Sequence, residues 1–148
     1  MKSRHALSIG LVSVLVLGPV GSGCYSAVCT DIGCESNLTF DFDGEHLPAG
    51  DYVVSVATSV GDSECDLTVN EDKSSDFDCR GDLDVEPSVR DVVIYATPEA
   101  ATLEITQDGS EITSAEAEPD YSDYFPNGED CDDEACQVAF VTAELTAP

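Results

Sequence analysis

The sequence predicts an all-β fold: a single antiparallel sandwich of about seven strands, stapled by disulfides. Three observations lead to that reading. Apolar residues recur at every second position in several short segments, and no segment shows the longer period of an amphipathic helix. Turn-forming residues separate these segments at intervals of about 8–14 residues, as in sandwich folds. Seven cysteines occur in a chain of 148 residues that opens with an export signal, a setting in which cysteines pair.

That signal comes first. "MKSRH" supplies Lys2 and Arg4, and "ALSIGLVSVLVLGPV" is an apolar run closed by Gly21, Ser22 and Gly23. A positive start, an apolar centre and a small-residue end are the parts of a secretory leader over residues 1–23. The apolar run falls short of the ~20 residues that a membrane span needs, so a cleaved leader is favoured over a retained anchor. Residues 24–34 then read as an N-terminal tether and 35–148 as the β-domain.

Within that domain, "NLTFDFD" alternates Leu38, Phe40 and Phe42 with polar neighbours, the mark of a half-buried strand. "HLPAG" reads as a type I turn, with Pro48 second and Gly50 fourth. "DYVVSVAT" is apolar on both faces, and "CDLTV" places Cys65, Leu67 and Val69 on one side. "NEDKSSDFD" is polar and reads as a loop before Cys79. "DVVIYAT" is the most apolar run, suited to an interior strand. "ATLEITQDGSEIT" predicts a hairpin turning at Asp108-Gly109. "PDYSDYFPNGEDCDDEAC" reads as irregular, and "QVAFVTAEL" as the closing strand.

Charge narrows the function. The chain has 31 acidic and five basic residues, for a formal net charge of −26. Cleavage of the leader would remove Lys2 and Arg4, leaving Lys73, Arg80 and Arg90 as the only lysine and arginine residues. Nucleic acid is excluded as a partner, because binding phosphates requires a basic surface. Anionic lipid headgroups would be repelled as well. The acidity fits either saline surroundings or a surface that collects cations.

Of the cysteines, Cys24 stands apart because it follows the leader directly. The stretch "VGSGC" resembles the lipobox of bacterial lipoprotein precursors, with Gly21 where that family usually has an aliphatic residue. The resemblance implies lipidation of Cys24. Removing Cys24 leaves six cysteines, an even set: Cys29, Cys34, Cys65, Cys79, Cys131 and Cys136. Six cysteines allow 15 pairings. Neighbour pairing is the simplest (Cys29–Cys34, Cys65–Cys79, Cys131–Cys136), and a crossed alternative ties the N-terminal pair to the C-terminal pair. A four-cysteine zinc site is disfavoured by export and by the lack of nearby histidine.

"LPAGDYVVSV", "ECDLTV" and "YFPNGEDCDDEACQVAFVTAEL", taken with the lipobox, resemble the small cysteine-bearing lipoproteins of Gram-negative bacteria that carry one immunoglobulin-like β-domain. The resemblance implies export to the cell envelope, membrane attachment through lipid, and an immunoglobulin-like architecture. Most members of that group have no assigned activity, so it implies no reaction.

Residue chemistry points away from catalysis. His46 is the only histidine after the leader, and no nucleophile motif, zinc-protease motif or phosphate loop is present. A carboxylate-pair hydrolase needs a shaped, aromatic-lined cleft, and the chain has no tryptophan. Calcium is the best of the site hypotheses, because hard cations want clustered oxygens. The candidate ligands are Glu129, Asp130, Asp132, Asp133 and Glu134, with a second acidic group at Asp76, Asp78, Asp82 and Asp84. Neither has EF-hand spacing. "RGD" at 80–82 and the glycosylation-type "NLT" at 37–39 are read as chance tripeptides. The sequence therefore predicts a monomeric, non-catalytic interaction or structural module needing no cofactor, with an envelope protein or carbohydrate as partner. A Ca²⁺-binding surface protein is the alternative.

Overall fold

The structure, a computed structural model, describes residues 33–132 and 134–146. The leader, Cys24, Cys29 and Asp133 lie outside the described residues.

Ten strands are present among the described residues, and no helix. They are β1 (Asn37–Asp41), β2 (Gly50–Thr58), β3 (Gly61–Val69), β4 (Ser75–Gly81), β5 (Val85–Pro87), β6 (Asp91–Ile94), β7 (Ala101–Gln107), β8 (Ser110–Ala117), β9 (Ser122–Tyr124) and β10 (Cys136–Thr142). Sheet one has the order β5-β6-β1-β10-β9 and sheet two the order β4-β3-β2-β7-β8. Every pairing is antiparallel except that of β1 with β10, which runs parallel from Asn37↔Val138 to Asp41↔Thr142.

The expected alternation builds the core. Leu38 and Phe40 of β1 and Val92 and Ile94 of β6 are buried from sheet one. Val54, Val56, Leu67, Leu103 and Ile105 are buried from sheet two, within the same apolar cluster. Successive strand residues point to opposite faces, so one face of each sheet lines the core and the other is left outward. Burying each of the larger side chains stabilises the fold by roughly 1.5–3 kcal/mol.

Connections close the two sides. After β4, Ser63 Oγ donates to the Leu83 carbonyl (2.9 Å) and Asp82 N to the Asp62 carbonyl (2.9 Å), which guides the chain from sheet two to sheet one. After β10 the chain crosses back. Thr146 N donates to the Ile112 carbonyl (2.8 Å), and the buried Thr113 hydroxyl donates to the Glu144 carbonyl (2.6 Å). Ile112 and Thr113 are adjacent and both buried because the β7–β8 register shifts beside Ile105.

Several expectations need correction. The strand count is ten rather than about seven, because β5 and β9 have three residues each and are too short to show a period. The stretch 70–78 is not all loop: β4 begins at Ser75 and pairs along β3 from Val69↔Ser75 to Ser63↔Gly81. It is a sheet edge with little buried surface, so it carries charge instead of an apolar alternation. The tight turn after β1 falls at Asp43-Gly44, both with positive φ, closed by Glu45 N donating to the Phe42 carbonyl (3.0 Å). It is not centred on Pro48; Leu47 N is instead bonded to the Val89 carbonyl (2.9 Å). The Asp108-Gly109 hairpin is present as read, with φ of 53° and 76° between paired Gln107 and Ser110.

Disulfides follow the crossed scheme at the chain's start. Cys65 bonds Cys79 across directly opposed positions of β3 and β4. Cys34 bonds Cys136, not Cys29, so neither Cys29–Cys34 nor Cys131–Cys136 forms. The cause is topological: the chain enters beside β10, because β1 runs parallel to it. Cys131 is also disulfide-bonded.

Candidate functional site

The two outward faces of the sandwich differ in chemistry. On sheet two, β3 directs Asp62, Glu64 and Asp66 outward and β4 directs Asp76 and Asp78. Asp66 and Asp78 are directly opposed, a like-charge pair that a sheet disfavours. Arg80 relieves it: its Nη2 lies 2.6 Å from Asp66 Oδ2 and 4.0 Å from Glu64 Oε1. This Arg80 is the first residue of the "RGD" tripeptide, which the structure places at the end of β4 rather than on a loop tip.

On sheet one, the outward side chains form an apolar groove of about 590 Å³. Val138 and Phe140 of β10 line it, with Tyr124 of β9, Tyr95 after β6, and Glu35 and Asn37 where the chain enters. Phe140 is 74% exposed and Tyr124 53% exposed. The volume lies within the range of small-ligand clefts. The Cys34–Cys136 disulfide borders the groove and fixes the entering chain to β10. Asn37, in the "NLT" tripeptide, belongs to β1 and donates its Nδ2 to the Glu35 carbonyl (3.2 Å).

One phenol of this groove has a marked electrostatic setting. The Tyr95 hydroxyl donates to Glu86 Oε2 at 2.8 Å. That hydrogen bond, followed by desolvation and by the charges of Glu86, Glu35 and Asp84, pushes its pKa up to about 12. The Tyr52 and Tyr121 phenols are raised by burial.

Of the predicted calcium residues, Asp133 lies outside the described residues. Asp132 Oδ2 accepts from Asn127 N (2.9 Å) and Oδ1 from Asn127 Nδ2 (2.7 Å), which holds a turn around Gly128. Asp76 and Asp78 share the outer face of β4, while Asp82 and Asp84 lie on the connection to β5. Among the described residues, no three His, Cys, Asp or Glu side chains are placed to hold a metal ion. His46 lies at a second cleft, of about 420 Å³, with Tyr52, Ile112 and Leu145. Its Nε2 accepts from Arg90 Nε at 2.9 Å, an arrangement for bracing a loop.

Sequence reasoning missed the aromatic groove. The signal for it is in "QVAFVTAEL": Ala139 and Val141 pack toward the core, so Val138 and Phe140 make the strand apolar on its outward face too. A strand apolar on both faces calls for cover on both. Tyr95 and Tyr124 gave no such signal, because they sit on a strand exit and a three-residue strand. The chain matches no protein-family model, no curated protein and no solved structure.

Proposed function

We propose that this chain is an exported, lipid-anchored protein of a Gram-negative cell envelope, whose domain is a non-catalytic interaction module. In this reading it meets its partner through the aromatic groove of sheet one. The observation that carries the proposal is Phe140, three-quarters exposed beside Tyr124 and Tyr95 on a protein otherwise coated with carboxylates. An exposed apolar patch of this kind is costly to leave in water unless something covers it.

Disulfides indicate an oxidising compartment outside the cytoplasm. Among the described residues no helix is long and apolar enough to cross a membrane. Lipid on Cys24 supplies the attachment, since two acyl chains hold a protein stably where one does not. The immunoglobulin likeness belongs to this proposal as one of architecture, two packed sheets. Strand order differs from the seven-stranded immunoglobulin arrangement, because consecutive β2, β3 and β4 share a sheet. Calcium binding is the alternative reading; among the described residues, no three candidate ligands are placed to hold a metal ion.

Two measurements test the reading. Cys24→Ser should release the protein from membranes; continued attachment contradicts the anchor. After gentle detergent extraction, the native protein should sediment as part of a larger complex, and Tyr124→Ala with Phe140→Ala should sediment as the free chain. Identical sedimentation of both contradicts the interaction surface.

A further inference from the structure

The groove's chemistry narrows its occupant, on the assumption that it is the interaction surface. We propose that it receives a cationic side chain, lysine or arginine, from an exposed segment of a partner protein. Three aromatic rings line it, and aromatic faces attract cations through their quadrupoles. Glu35 lies at its edge, and Glu86 is held 2.8 Å from the Tyr95 hydroxyl. Among the described residues, no lysine, arginine or histidine lines it. A cation entering here meets three aromatic side chains and the Glu35 carboxylate.

The lysine and arginine side chains of the described residues are engaged or placed elsewhere. Arg80 is bound to Asp66 on sheet two, Arg90 braces His46, and Lys73 sits in the β3–β4 turn. Charge also decides among occupants. A second copy would bring another net −26 against the first. The segment 25–32, "YSAVCTDI", carries Asp31 and no cation. A basic partner segment is the occupant that the field would steer in and the groove would hold.

The test is an NMR titration of the exported, detergent-purified protein at about 0.15 M NaCl, where diffuse surface attraction is screened. The probes are the blocked peptide Gly-Arg-Gly-Lys-Gly, the same peptide with glutamate in place of both cations, and chitotetraose. The cationic peptide should shift Tyr95, Tyr124 and Phe140 most. Tyr124→Ala with Phe140→Ala should weaken it about fivefold or more, as should Glu35→Gln with Glu86→Gln. Glu104→Gln on the opposite sheet should change it less than about twofold, as a distant, exposed charge. Phe140 and Tyr124 lie outside the core, so their truncation leaves the fold intact.

Equal binding of the glutamate peptide or of chitotetraose overturns the inference. So does equal sensitivity to Glu104→Gln, which marks non-specific attraction. If the native complex forms yet the cationic peptide fails to bind, this inference falls and the interaction reading stands. If neither is seen, both fall.

Discussion

Gly81 ends β4 with φ +141°, and a Cβ there would press on the Asp62 carbonyl oxygen and on Ser63 Oγ and Cα. Much of the obstruction is backbone, so it cannot swing aside. Gly81→Ala is therefore expected to destabilise the protein by about 2–4 kcal/mol, measured by denaturant unfolding, with the disulfides retained. Tyr95 gives a test by titration. Its raised pKa means that its fold-specific stabilisation is present below the ordinary tyrosine value of 10.0 and lost as pH climbs towards about 12. A spectrophotometric alkaline titration should show one tyrosine ionising last. Glu86→Gln should bring that step down, because it removes the charge that the tyrosinate would face. An unchanged profile would show that Glu86 does not hold the phenol protonated.

Among the elements, the two disulfides with both ends among the described residues act on loops of very different length. Cys34 and Cys136 are 102 residues apart, and Cys65 and Cys79 are 14 apart. By chain entropy these closures are worth about 4.7 and about 3 kcal/mol respectively. Cys34→Ala with Cys136→Ala should thus lower Tm clearly while sparing the core, since it unties only the chain's entry. Losing Cys65–Cys79 also removes a fully buried side chain, so that variant loses packing as well. Strands with one strongly apolar face were legible from their alternation, and β2 from its β-branched run apolar on both faces: β1, β2, β3 and β7 all appear where Phe40, Val54, Leu67 and Leu103 predict. The Asp108-Gly109 turn was legible because few residues accept positive φ at two successive positions. What was not legible has a common cause. Edge strands such as β4 bury little, and short strands such as β9 hold no period. Pairing of β1 with β10 depends on residues about a hundred positions apart, and the Cys34–Cys136 bond follows from that pairing.

Across the whole molecule, both outward faces carry carboxylates, Asp41 and Glu86 among them on sheet one, but they differ in what lies beside those charges. Sheet two's outward face carries Asp62, Glu64, Asp66, Asp76 and Asp78, with Arg80 as the countercharge. Sheet one's outward face carries the aromatic groove. Self-repulsion of 31 acids opposes folding, and salt screens it. Raising NaCl from about 0.02 M to about 0.5 M should increase Tm by roughly 3–6 °C. A fall in Tm would show that attractive ion pairs outweigh the repulsion. Composition alone revealed the acidity but not which face carries the aromatic groove, because which face a residue takes depends on register.

The sheet-one groove is proposed as the place where this protein meets its partner. A photo-crosslinking amino acid placed at Phe140, in intact cells exporting the full chain, tests it most directly. A discrete adduct is expected from position 140 and none from Glu104 on the opposite sheet. Mapping the adduct should find the attachment beside a lysine or arginine of the partner. The absence of any adduct from position 140, or equal adducts from both positions, would contradict it.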